Sequence, residues 1–260
     1  WLHGKDNDGT ELEILSVLNG PRRDVARKNA KVSYIEPNKA PYTVESSVIS
    51  GPIPMAFSGK VEELTDSYSF VLVGRSRILG RVSQVIRIVP RDPHRYAHWL
   101  WLDQESGLLL KLALTTKQGQ TLEQIQFTHL EITQEIAEAL KQLKVANLPK
   151  VTTHSNEGEY KSFDWQVNWL PTGFKPIKSN RHNLPGSSQL VDFILFNDGL
   201  VDVSVYVNPS QQPNRNMEYV HDGATVVLTM VKQNKEISVV GKIPSATAKA
   251  IADSVVYKLP

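Results

Sequence analysis

Residues 95–114, RYAHWLWLDQESGLLLKLAL, hold two runs of aromatic and aliphatic residues around the pentapeptide DQESG. Asp103 and Gly107 have the chemistry of a hairpin turn. The aspartate accepts hydrogen bonds from the backbone just downstream, and the glycine takes a positive φ. The stretch therefore predicts two antiparallel strands, 95–102 and 108–116. By the period of two, Trp99 and Trp101 share one face of the first strand, while Tyr96, His98, Leu100 and Leu102 share the other. Both faces are bulky and mostly apolar, whereas a sheet covered on one side alternates. Two arrangements fit: a helix packed across the sheet, or a curved sheet lining an apolar cavity able to take acyl chains. Trp99, Leu100, Trp101 and Leu102 are the candidate cavity wall.

The same grammar extends outward. Strand patterns run over 11–18, 31–36, 41–49, 67–77, 82–89 and 121–132, with NGPR, EPNKAP, Gly80 and KQGQ as turns. An antiparallel meander follows from tight turns between successive strands. In TQEIAEALKQL, Thr133 is the expected N-cap, and Ile136, Leu140 and Leu143 recur at helical spacing. Periodicity then lapses, and 146–162 reads as a linker between a first domain at 1–145 and a second at 163–260. The second holds strand patterns at 189–196, 200–207, 217–220, 224–231 and 236–241, with turns at Asn197-Asp198-Gly199 and Asp222-Gly223. It closes on a helical stripe of Ala248, Ile251, Ala252 and Val255. The fold class is α+β.

Composition excludes several function classes. A formal charge of +2 over 260 residues gives no basis for nucleic-acid binding. With zero cysteines there is no disulfide, thiolate metal site or cysteine nucleophile. No apolar run reaches the ~18 residues needed to cross a membrane as a helix. Nucleotide-binding glycine loops, the GxSxG elbow and HExxH are absent, so neither a catalytic site nor a metal or cofactor site is expected. His94 and His98 read as a loop and a strand histidine rather than a ligand pair. Turn chemistry accounts for Asp103 and leaves Glu105 a solvated turn residue. Trp165, Trp169, Leu170 and Phe174 anchor a turn in WLPTGF and its approach.

Arginines stand at 75, 77, 81, 87, 91 and 95, all odd positions, and Asp92 is the one acid in that span. On strands they share one face, provided the turn at Gly80 keeps the register. Such a face is either solvated or a dock for an acidic peptide or phosphorylated lipid head group. Arg75, Arg77, Arg81 and Arg87 are the candidate contacts.

NGPRRDVARKNAKVSYIEP (19–37), VGRSRILGRVSQVIRIVPRD (73–92), WLDQESGLLLKLAL (101–114) and QTLEQIQF (120–127) resemble the RseB/MucB family. So do WLPTGF (169–174), LFNDGLVDVSVYVN (195–208) and IPSATAKAIADSV (243–255). The W-x-D-x-x-S-G-L-x-L-K run is shared more widely, with lipoprotein carriers of the LolA/LolB type. The resemblance implies a large, antiparallel, half-open LolA-like β-barrel domain followed by a smaller α+β domain. It implies a periplasmic regulator without enzymatic activity. The expected partner is the periplasmic segment of a membrane anti-sigma factor of the RseA/MucA type, which it shields from site-1 proteolysis. The expected release signal is lipid or lipopolysaccharide, and a lipoprotein or lipid carrier is the alternative. Family members carry a signal peptide, a helix and first barrel strands ahead of the point matching Trp1, so the barrel is expected to be incomplete at its N-terminal side.

Overall fold

The computed structural model describes residues 1–49, 61–151, 163–183, 190–210 and 217–257. Antiparallel strands make up almost all of its regular structure, with two α-helices among the described residues. The backbone groups into two units, Trp1–Gly51 with Leu130–Glu157 and Pro52–His129 with Gly158–Pro260.

In the first unit, β1 (Leu2–Lys5), β2 (Glu11–Val17), β3 (Arg23–Lys28), β4 (Lys31–Ile35) and β5 (Tyr42–Glu45) form one sheet in sequence order. Leu12, with the cross-strand pair Ile14 and Ala26, supplies its apolar face. Helix α1 (Glu138–Val145) lays Leu140 and Leu143 on that face. On the opposite face Glu13 and Arg27 are direct cross-strand partners, and Arg27 Nε donates to Glu13 Oε2 at 2.7 Å. Glu11 takes a second arginine nitrogen at 3.0 Å, and Trp1 Nε1 donates to Glu13 at 2.6 Å. Paired in this way, Arg27 sits buried mid-strand, as an unpaired charge could not. That pairing explains why RDVARK carries no strand pattern readable from hydropathy and yet forms β3.

The helix begins later than the sequence suggests. Its N-cap position is Ala137, which makes no side-chain cap, while the Thr133 hydroxyl donates to the Glu135 carbonyl in the preceding loop. The periodic residues Leu140 and Leu143 were correctly placed; the start was set instead by where those two reach the sheet. The strand expected over 121–132 ends at Gln126, and that over 41–49 is confined to β5. Most of the linker expected at 146–162 lies outside the described residues.

The second unit contains β6 (Tyr68–Ile78), β7 (Arg81–Pro90), β8 (Ala97–Asp103), β9 (Leu109–Thr115) and β10 (Thr121–Gln126), again in sequence order. After these come β11 (Trp165–Val167), β12 (Lys175–Asn183), β13 (Leu190–Asn197), β14 (Asp202–Pro209), β15 (Glu218–Asp222), β16 (Thr225–Lys232) and β17 (Lys235–Gly241). Helix α2 (Ser245–Asp253) and β18 (Val255–Tyr257) complete the unit. Six strands form a sheet in the order β12-β13-β14-β17-β16-β15, and β11 pairs with β18. Ala248, Ile251 and Ala252 of α2 and the following Val255 are fully buried, as their spacing foretold.

One hydrophobic core joins the two larger sheets of this unit. Ile88, Leu100, Leu112 and Leu114 come from the five-stranded sheet, and Val203, Val205, Val226, Leu228, Ile237 and Val239 from the six-stranded one. Leu100 and Leu102 therefore face a second sheet. They are core residues, not a cavity wall, and neither of the arrangements read from the sequence placed a sheet there.

A buried polar lock ties the WLPTGF and NDGL turns into that core. Arg95 Nε donates to Asp198 Oδ2 at 2.6 Å, and both side chains are wholly inaccessible. The Tyr68 hydroxyl donates to the same oxygen at 2.7 Å, and burial beside that carboxylate pushes its pKa up. Asp198 Oδ1 accepts from the backbone N–H groups of Leu200 and Val201 at 2.9 and 2.7 Å. The Arg95 guanidinium lies over the rings of Tyr68 and Phe174, at 5.4 and 5.0 Å, and also donates to the carboxylate of Asp92 and the carbonyl of Thr172. Gly173 has a φ of 92°, and a Cβ there would run into Ser67 Oγ. Gly199, at φ 97°, would place a Cβ 2.7 Å from Leu64 Cδ2. Both turns need glycine for conformation and for close approach.

Candidate functional site

The Trp-bearing face of β8 is the one the core does not use. Register places Arg87 opposite Trp99 on β7, and Ala113 and Lys111 opposite Trp99 and Trp101 on β9. Cross-strand partners share a face, so these side chains meet. The indoles stack at 6.4 Å with 28° between planes. Arg87 lies over Trp99 at 5.2 Å, and Lys111 Nζ over Trp101 at 4.9 Å. Trp99 Nε1 donates to Thr115 Oγ1 at 3.3 Å. Lys117, Thr121 and Gln124 complete the wall of an open basin of about 540 Å³. Arg87 Nε is buried with no hydrogen-bond partner among the described residues.

Two aromatic bodies, each capped by a cation, with amides and hydroxyls at the rim, suit a ligand that joins apolar surface to negative charge. Lys111 and Lys117 were not singled out by sequence reasoning. The available signal was the lone cation in LLLKLAL, a charged residue whose two-residue spacing from the tryptophan face follows only once the hairpin register is known.

The arginine stripe does not survive as one face. Ile78 pairs with Arg81 across a two-residue turn, Leu79 and Gly80, both at positive φ (54° and 73°). A two-residue turn couples odd positions to even ones. Arg75 consequently faces with Gln84 and Arg77 with Val82, while Arg81 and Arg87 point to the opposite side. The condition attached to the stripe, that the Gly80 turn keep the register, is not met.

Nor are the four equivalent. Asp103 takes two nitrogens of Arg81 at 2.9 and 2.8 Å, and Glu105 takes a third contact at 2.8 Å. The guanidinium and the Ser106 hydroxyl, which donates at 2.6 Å, hold the Asp103 carboxyl well below the usual range. Asp103 thus organises its turn, as expected, and also neutralises Arg81; Glu105 contributes to that pair. Arg77 donates to the Gly80 carbonyl at 3.0 Å, and both Arg75 and Arg77 are exposed. Only Arg87 joins the tryptophans.

The two histidines are structural. His98 is buried on β8, and desolvation lowers its pKa to about 4. His94 is half-buried in the loop before β8 and packs edge-on against Trp169 at 5.0 Å. No cluster of three or more potential metal ligands occurs among the described residues. No helix among them is long and apolar enough to cross a membrane.

Comparison with known proteins finds relatives over nearly the whole chain. The model of the MucB/RseB N-terminal domain matches residues 1–151, and that of the MucB/RseB C-terminal domain matches 159–256. The sigma-E factor regulatory protein RseB of Salmonella typhimurium is 36% identical over 252 residues, covering 96% of this chain and 79% of that protein. RseB of Escherichia coli K12 is 35% identical over 251 residues, 96% of this chain and 78% of the relative. The sigma factor AlgU regulatory protein MucB of Pseudomonas aeruginosa is 31% identical over 257 residues, with 97% and 79% coverage. Among solved structures, MucB in complex with MucA(peri) matches with a TM-score of 0.76 at 28% identity, covering 99% of this chain and 87% of that one. The P. aeruginosa MucA/MucB complex matches at 0.78 with the same identity and coverage. Matched through both its halves by the family's two domains, the chain belongs to the MucB/RseB family.

Proposed function

We propose that this protein is a negative regulator of a sigma-E type envelope stress response, working in the periplasm. In this reading it binds the periplasmic segment of a membrane anti-sigma factor of the RseA/MucA type. Bound there, it keeps the site-1 protease from its cleavage site, and a lipid or lipopolysaccharide signal releases it. It acts by occupancy and carries out no reaction of its own. The observation that carries the proposal is the match of both family domains to one chain, beside relatives named as sigma-factor regulators and a relative solved with MucA(peri). Residues 1–145 would form a half-open barrel of the LolA kind and 163–260 the smaller second domain. Arg87, Trp99 and Trp101 would hold the anionic and apolar parts of the signal.

The test is calorimetric titration of the cognate anti-sigma factor's periplasmic segment into the purified protein, with and without lipopolysaccharide. Saturable binding, weakened by lipopolysaccharide, is the expected result. Absence of binding to that segment would overturn the proposal. Reciprocity requires the segment to weaken lipopolysaccharide binding by the same factor, which the reverse titration checks.

The basin favours a second reading, a lipoprotein or lipid carrier, because it places apolar rings and cations where an acylated anion could sit. A carrier retains its cargo, so native mass spectrometry after gentle purification would show a bound acyl-chain mass. Trp99→Ala would lose it.

A further inference from the structure

The outer edge of β6 carries the longest run of exposed large hydrophobic residues among the described residues. Phe70, Val71, Leu72 and Val73 are consecutive apolar residues, exposed by 38%, 45%, 74% and 50%. No strand among the described residues pairs with that edge, since β6 ends the order β10-β9-β8-β7-β6. An edge strand leaves alternate N–H and C=O groups unpaired, a template for any extended chain that brings its own. Four adjacent apolar side chains beside such a template are costly to leave in water.

Charge identifies what covers them. The β6–β7 hairpin carries four arginines and no acid in either strand. Arg75 and Arg77 lie exposed on β6 itself, directly after the apolar run, and neither has an ion pair among the described residues. A second copy of this edge would bring like charges together across the new ladder, which is destabilising. Of the other open edges, β10 at the far end of the same sheet carries Glu123 and no exposed large hydrophobic residue. In the six-stranded sheet, β15 carries Glu218 and Asp222 within five residues, while β12 is interrupted by Pro176 and a register shift.

We infer that the edge of β6, unpaired among the described residues, receives an extended peptide as an extra strand, with apolar residues followed by acidic ones when it adds parallel and acidic residues followed by apolar ones when it adds antiparallel. The ladder supplies backbone hydrogen bonds, Phe70 to Val73 contact the apolar side chains, and Arg75 and Arg77 take the carboxylates. This rests on the proposed function and deepens it: the peptide is the anti-sigma factor's periplasmic segment.

Hydrogen–deuterium exchange of the full chain, with and without a synthetic peptide of that segment, tests the assignment. Amides within 68–78 should exchange at least tenfold more slowly when the peptide is bound. Leu72→Glu and Val73→Glu should each weaken binding tenfold or more at unchanged thermal midpoint, while Val220→Glu on β15 should leave it unaltered. Binding that leaves exchange in 68–78 unchanged overturns the edge assignment and spares the regulator reading. Failure of the unsubstituted protein to bind overturns both. Self-association that Leu72→Glu abolishes would assign the edge to a second copy and overturn the peptide.

Discussion

Arg95 and Asp198 are 103 residues apart and form a fully buried ion pair whose remaining valences are taken by Tyr68, Asp92, Thr172 and two backbone amides. Removing one partner leaves an uncompensated buried charge, which typically costs ~3–5 kcal/mol. Asp198→Ala should lower the urea unfolding free energy by that amount, and Arg95→Lys should not preserve stability, because an ammonium cannot span the same acceptors. An unfolding free energy within about 1 kcal/mol of the unsubstituted protein's would show that water reaches the pair. None of this was legible beforehand. Arg95 and Arg27 are charged letters in the sequence, and hydropathy patterns assign such letters to solvent. Their burial depends on acids brought in by strand register and by a turn over 100 residues away. His98 adds a pH dependence of known sign. Its folded pKa is about 4, against an ordinary 6.5, so the unfolded chain binds the extra proton first as pH falls. Stability is therefore complete above pH 6.5 and declines as pH drops towards 4, by up to about 3 kcal/mol. Chemical denaturation at pH 7 and at pH 4.5 should show a loss that His98→Gln reduces; equal losses in both proteins would remove His98 as its source.

Element positions were largely readable where turns and alternation agree, as in the β8–β9 hairpin over DQESG and the stripe of α2. Faces were harder, because they depend on loop parity. The two-residue turn at Leu79 and Gly80 alone decides whether Arg75 and Arg87 are neighbours, and it separates them. Likewise the bulky residues on both faces of β8 implied cover on both sides; a second sheet covers the Leu100 face, while the tryptophan face lines an open basin. Helix α1 shows a signal that misled: Thr133 is a good capping residue that the helix does not use. The actual N-cap position, Ala137, is exposed with φ −59° and ψ 148°, a capping conformation without a capping side chain. Ala137→Ser should stabilise the chain by about 1 kcal/mol through a hydroxyl accepting from the first helical turn. Far-UV dichroism during urea titration would show it, and an unchanged midpoint would mean that this turn stays frayed.

The distribution of tryptophans allows the two units to be followed separately. Four of the five, Trp99, Trp101, Trp165 and Trp169, belong to the second unit, and only Trp1 to the first. The second has a core drawn from two sheets and a helix, while that of the first is a cluster of Leu12, Ala26, Leu140 and Leu143 with three partly buried neighbours. A core so small gives its unit little stability of its own. Leu140 is 1% exposed at the centre of that cluster, and cutting it to alanine should cost ~2–5 kcal/mol there. If the units unfold independently, the loss falls on the first alone. Far-UV dichroism, which sees all strands, should then develop an early phase in Leu140→Ala, while tryptophan emission keeps its midpoint. A common shift of both signals would instead mean that the chain unfolds as one cooperative body, with the first unit's stability borrowed from the second.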